Sequence, residues 1–165
     1  MILATLLILQ VSGLTAEWSR LRGPNGSGVA ASAKPPLQLD PAKPTWIVPS
    51  PTGQSRLATY AHDKITGKRL WKRLAPEVGL ERVHKASSHA APTPVVDKDR
   101  IYVYFGSYGL LCYDHAGKLL WQRQLPVPRT LYGTSSSPIA FGGLILLVLD
   151  DDHNLPDSRL SRSKI

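Results

Sequence analysis

Between Pro92 and Leu125 the chain alternates short apolar runs with clusters of turn-forming residues. Pro94-Val95-Val96 leads into Asp97-Lys98-Asp99, and Ile101-Tyr102-Val103-Tyr104-Phe105 into Gly106-Ser107-Tyr108-Gly109. Leu110 to Tyr113 is closed by Asp114-His115-Ala116-Gly117, and Lys118 to Arg123 follows. Runs this short, rich in β-branched and aromatic residues and bounded by Gly and Asp, predict four strands joined by tight turns. The connections leave no room for a crossover helix, so an antiparallel meander is expected rather than a parallel βαβ sheet.

The pattern then restarts. Ser135-Ser136-Ser137-Pro138-Ile139-Ala140 matches Ala90-Ala91-Pro92-Thr93-Pro94-Val95, with Pro138 lying 44 residues after Pro94. Gly142-Gly143 takes the place of the Asp97–Asp99 turn, and the apolar run Leu144 to Leu149 takes the place of the Ile101–Phe105 strand. Because that run shows no polar alternation, it is expected to be covered on both faces. Upstream, DKITGKRLWKRL (63–74) resembles DHAGKLLWQRQL (114–125), and Trp71 and Trp121 stand 50 residues apart. Four strands per unit at spacings of 44 and 50 residues lie in the range of propeller blades.

The Gly-Lys pairs, Gly67-Lys68 and Gly117-Lys118, invite a phosphate-loop reading. That loop needs an earlier glycine at fixed spacing, a Ser or Thr after the lysine, and a helix behind it. Arg69 and Leu119 stand at the hydroxyl position and a strand follows, so the reading fails. Gly67 and Gly117 instead suit the positive φ of a hairpin turn. Leu70, Trp71, Leu120 and Trp121 fall in the strands after the turns, where a large ring can fill the gap between neighbouring sheets.

Composition adds little that is specific. The 165 residues are 42% apolar and 19% charged, as expected of one folded domain, and 14 Pro with 13 Gly suit frequent turns. Twenty basic against 12 acidic residues give a net charge of +8, but the basic residues are scattered and no nucleic-acid module accompanies them. No nucleic-acid partner is expected. Cys112 is the single cysteine, which excludes an intrachain disulfide and suits a small buried hydrophobe. Residues 1–16, MILATLLILQVSGLTA, read as a secretory signal with Ala16 before the cut; the apolar run is too short to span a bilayer. Export, to the periplasm or medium, with no transmembrane span in the mature chain, is the expectation.

The Asp-x-x-Thr-Gly-Lys-x-Leu-Trp ending (63–71) and the Ser-Pro opening resemble the repeats of the PQQ-binding-like β-propeller family. Trp18 to Gly28 and Glu81 to His89 are similar to secreted bacterial members of that type, so the resemblance covers residues 17–165. It implies an all-β fold: a partial β-propeller of antiparallel four-stranded meander blades, one complete and two incomplete. The expected division is a signal at 1–16, an N-terminal segment with a ring-closing strand at 17–48, and a shortened first blade and loop at 49–91. A complete blade at 92–125 and the start of a third at 126–165 follow.

The same resemblance offers one chemistry. In quinoprotein alcohol dehydrogenases of the family, PQQ lies between a tryptophan and a disulfide of adjacent cysteines, above a calcium ion. One cysteine cannot supply that disulfide, and no calcium ligand set carries over, so no catalytic, cofactor or metal residue is assigned. In such a propeller the innermost strand opens each blade, which would place His84, Lys85, His89, Arg129 and Tyr132 near one mouth of the central channel. There they are candidates for binding a protein or small ligand, against the simpler reading as polar connections. Asp150 and Asp152, in the run Asp150 to Asn154, could meet a hard cation but lack the spacing of a calcium loop, so a solvated turn is preferred. Asn25-Gly26-Ser27 reads as a Gly-rich turn rather than a glycosylation site.

A closed ring would need about eight blades, so the chain reads as a fragment of a longer frame. Ahead of Leu57 there is too little sequence for two further strands, as though the first unit had lost a segment. Open strand edges are association-prone, so the chain alone is expected to be marginally stable. The function expected is a non-catalytic exported propeller module for binding or scaffolding. Part of a periplasmic PQQ-dependent oxidoreductase is the alternative.

Overall fold

The computed structural model describes residues 56–149, together with Arg22, Ala42 and Pro44. The expected signal segment, the residues ahead of Leu57's immediate neighbourhood, and Asp150 and Asp152 lie outside the described residues. Within them the chain is all-β and antiparallel, without helices. Strands β1 (Ala58–His62) and β2 (Arg69–Leu74) form a first hairpin. A central four-stranded meander contains β3 (Val95–Val96), β4 (Ile101–Phe105), β5 (Gly109–Tyr113) and β6 (Leu119–Gln124) in sequence order. A last hairpin pairs β7 (Ile139–Phe141) with β8 (Leu144–Leu146).

The two Gly-Lys hairpins are built alike. In both, the strand before the turn carries an irregularity at its final step, between Ala61 and His62 and between Cys112 and Tyr113. In both, the tryptophan pairs with the residue just before it: Ala61 with Trp71, Cys112 with Trp121. Each turn opens on an aspartate that folds back on the loop. Asp63 Oδ1 accepts the amides of Ile65 and Thr66 and the Thr66 hydroxyl, and Asp114 Oδ1 accepts the Lys118 amide. Hydrogen bonding from Thr66 holds the Asp63 carboxyl below its ordinary value. Gly67 and Gly117 close the turns at φ 71° and 79°, a region where a Cβ is strained.

Alternation along β4 and β5 gives the central sheet two buried faces. Ile101, Val103, Phe105, Leu111 and Tyr113 pack with Leu57, Ala75 and Val78 on the side of the first hairpin. Val95, Tyr102, Tyr104, Leu110 and Cys112 pack with Ala140, Ile145 and Leu147 of the last hairpin region. The three sheets therefore stack face to face, with Cys112 wholly enclosed. Burial pushes its thiol up, which keeps it protonated and inert.

Trp71 joins the first hairpin to the central sheet. Its indole, 8% exposed, lies on the β5–β6 turn and against Tyr113, with ring centroids 5.9 Å apart. Its Nε1–H donates to the His115 carbonyl at 3.0 Å, and the neighbouring Arg73 donates to the Gly117 carbonyl. A Cβ at Gly117 would stand 2.6 Å from the indole. Glycine at 117 thus serves both the turn and the ring that covers it. Trp121 is only half-buried and packs on Tyr102 at 6.1 Å, so the two tryptophans are not equally enclosed.

One expectation is corrected. The run Leu144 to Leu149 is not covered on both faces: Ile145 and Leu147 turn inward, while Leu144, Leu146 and Val148 are exposed. An all-apolar run conceals alternation that packing on a single side imposes. The spacings of 50 and 44 residues also have a structural cause. The connection is 23 residues from Trp71 to Pro94 but 17 from Trp121 to Pro138, and the first of these folds an extra excursion through Lys85 to Ala90.

Truncating Trp71 to Ala is expected to cost about 3–5 kcal/mol, as for other buried aromatic residues. Gly117→Ala should cost about 1–2 kcal/mol for its left-handed backbone alone, and more for the indole contact. Gly142→Ala, also at positive φ but with open space around it, should cost less than Gly117→Ala. Urea unfolding of the three variants tests this ranking; an equal cost at 117 and 142 would show that the indole contact contributes nothing.

Candidate functional site

The two long connections, residues 75–94 and 125–138, run over the β4–β5 turn and meet there. The first reaches the turn through Glu81, whose amide donates to Ser107 Oγ at 3.0 Å. The second arrives through Thr134, whose hydroxyl donates to Glu81 Oε2 at 2.9 Å. Gly106 lies beneath both, and any Cβ there would collide with the side chains of Thr134 and Glu81. The absence of a side chain at 106 is what lets the two connections close over the turn.

This junction is polar and buried, which is costly unless every group is paired. Glu81 is 8% exposed and Tyr104, reaching it from β4, is 1% exposed. Glu81 Oε1 and the Tyr104 hydroxyl both lack a hydrogen-bond partner. Burial, with the adjacent Glu81 carboxyl adding to it, pushes the Tyr104 phenol up to about 12. The hydroxyl therefore keeps its proton at physiological pH, with Thr134 and Glu81 beside it.

Of the residues singled out in the sequence, the fold brings two together and attaches a third. The His84 amide donates to the Tyr132 carbonyl at 3.3 Å, and the two rings meet edge to face with centroids 5.0 Å apart. His84 Nδ1 accepts the Ala86 amide, so one ring nitrogen is already engaged in its own loop. His89 Nε2 lies 2.9 Å from the Glu81 carbonyl, bracing the excursion against the junction. Lys85 and Arg129 are exposed on the first and second connections respectively. Beside Tyr132 an open cleft of about 170 Å³ is lined by Thr130, Leu131, Thr134, Ser136 and Val148. Lys68, Lys118, Leu70 and Leu120 of the paired strings are exposed at or just after the turns and have no part in this region.

Glu81, Ser107, Tyr104 and Thr134 were not evident as a group in the sequence. Tyr104 stands inside an apolar strand and Glu81 beside Leu80, each plausible as an ordinary residue of its segment. The one available signal was the exchange of a hydroxyl into the turn at Ser107 between two glycines. Chemically the arrangement can hold a polar group by hydrogen bonds, with the Thr134 hydroxyl already paired to the Glu81 carboxylate. Among the described residues no three His, Cys, Asp or Glu side chains gather as metal ligands. Among them, too, no helix is long and apolar enough to cross a membrane.

No protein-family model matches the chain, and no curated protein matches it.

A buried phenol makes two measurable differences. Because Tyr104 keeps its proton to about 12 when folded and a free tyrosine loses it near 10, folding is disfavoured progressively as pH rises between those values. Its contribution is intact below pH 10. Tyr104→Phe should remove the latest-titrating phenol from the absorbance at 295 nm and leave stability at pH 7 within about 1 kcal/mol of the parent. A loss well above that would mean that the hydroxyl is paired.

Proposed function

We propose that the chain is a stretch of β-propeller of the PQQ-like repeat type, exported to the periplasm or medium, that binds or scaffolds rather than catalyses. The face crossed by the two long connections would receive a protein or small ligand. What supports this reading is the region around Glu81: hydrogen-bonding groups and a cleft converge where two connections meet. The stack of antiparallel sheets supports the propeller reading, since each buries one face of the next. Binding residues commonly sit on connections held by a rigid sheet, and Tyr132 with its exposed ring and adjacent hydroxyls has that position.

The quinoprotein alternative is a poor fit to these residues. Its cofactor would need adjacent cysteines, whereas Cys112 is alone and wholly enclosed between the central sheet and the last hairpin. The calcium would need several oxygen ligands on one face, and Glu81 is the only carboxylate in the buried junction among the described residues.

Gel filtration after incubation with PQQ and calcium, followed by a dye-linked alcohol oxidation assay, separates the two readings. A binding module should retain no quinone absorbance and reduce no dye. Saturation-transfer NMR against a panel of peptides and polar small molecules should then give contacts that Tyr132→Ala weakens at least tenfold. Retained quinone with dye reduction, or contacts indifferent to Tyr132, would overturn the proposal.

A further inference from the structure

Each buried face in the stack has a counterpart at one end that no described residue covers. In the central sheet, Val95, Tyr102 and Tyr104 are buried by the last hairpin region. Forty-four residues on, at the spacing of Pro94 and Pro138, stand Ile139, Leu146 and Val148. These point away from the stack, at 46%, 42% and 42% exposure. Register places Ile139 opposite Leu146 and Phe141 opposite Leu144, so four large apolar side chains share one outward face. Phe141 is 73% exposed and Leu144 63%. A patch of this kind on a soluble protein marks a contact surface.

The other end shows the complementary relation. Leu111 and Tyr113 of the central sheet are buried against the first hairpin. Their counterparts, by the matching irregular pairs, are Tyr60 and His62. These lie on the outer face of the first hairpin, opposite to Trp71, stacked on each other at 6.3 Å. Lys72 lies over the Tyr60 ring, and Leu70 and Leu74 share that face at 61% and 45% exposure.

We infer that a second copy of this chain docks head to tail, its first hairpin's outer face (Leu70, Leu74) covering the outward face of β7–β8. Continuity with the interfaces already present inside the chain selects this occupant. The last hairpin offers the face that a following unit would cover, and the first offers the face that a preceding unit would cover. Such a contact is heterologous, so it can repeat from copy to copy and either closes a ring or extends. The inference rests on the stacking and on no ligand at the Glu81 junction, so either proposal can fail without the other.

Sedimentation velocity of the full chain over a range of concentrations tests it, with two outward-facing substitutions that leave the interior untouched. Wild type should sediment as a concentration-dependent mixture of monomer and larger species. Phe141→Asp and Leu70→Asp should each sediment as monomer with unchanged far-UV circular dichroism. Mixed in equal amounts, they should form a species of twice the monomer mass and nothing larger, because each retains one intact face. Wild type that stays monomeric at every concentration would overturn the inference. So would dimers of Leu70→Asp alone, which mean a symmetric contact between β7–β8 faces. Association that survives both substitutions places the contact elsewhere and overturns it equally.

Discussion

A tryptophan ring laid on a backbone turn holds the first hairpin to the central sheet. The Trp71 indole can approach Gly117 closely only because that residue has no Cβ, and the same residue needs positive φ to finish the β5–β6 turn. The indole N–H and the Arg73 side chain both end on carbonyls of that turn, so groups that a hairpin leaves unpaired gain partners from the neighbouring sheet. Burial of the ring is non-directional, whereas the hydrogen bonds fix where on the sheet it sits. Together they set the distance at which Ile101, Val103 and Tyr113 close on Leu57 and Ala75.

From that contact follows the placement of the polar junction. With the first hairpin fixed, the chain leaving β2 must cross the β4–β5 turn to reach β3, and Glu81 is carried over Gly106 and Ser107. The second connection makes the equivalent crossing and brings Thr134 to the same carboxylate. Thr93 and Ser137, at matching positions just before the opening strands of successive units, are themselves joined by a hydrogen bond at 2.9 Å. A stack of sheets thus delivers loop residues of neighbouring units to one place, which is how an all-β scaffold can assemble a binding surface from sequence-distant parts.

The meander was legible because strand, turn and period all agreed: Ile101 to Phe105 is β-rich, and Asp and Gly mark every turn around it. The repeat was legible in Gly67 and Trp71 against Gly117 and Trp121, since turn geometry restricts those positions to few residue types. What lay hidden was whatever depends on contacts across the stack. Leu144 to Leu149 looks uniform as a string, and only the one-sided neighbour reveals its alternation. Glu81 and Thr134 are 53 residues apart, and neither carries a local pattern that announces the other. His84 and Tyr132 were identified in their loops, but their pairing depends on how Gly133 and Val83 fit together.

Hydrogen exchange at the Trp71 indole tests the central contact most directly. NMR detection of Nε1–H resolves each tryptophan, and full opening of the hairpin from the sheet is needed to expose this one. The account predicts that the Trp71 indole proton exchanges as slowly as the amides of β4 and β5. Exchange as fast as that of a solvent-exposed indole, with those amides still protected, would contradict it.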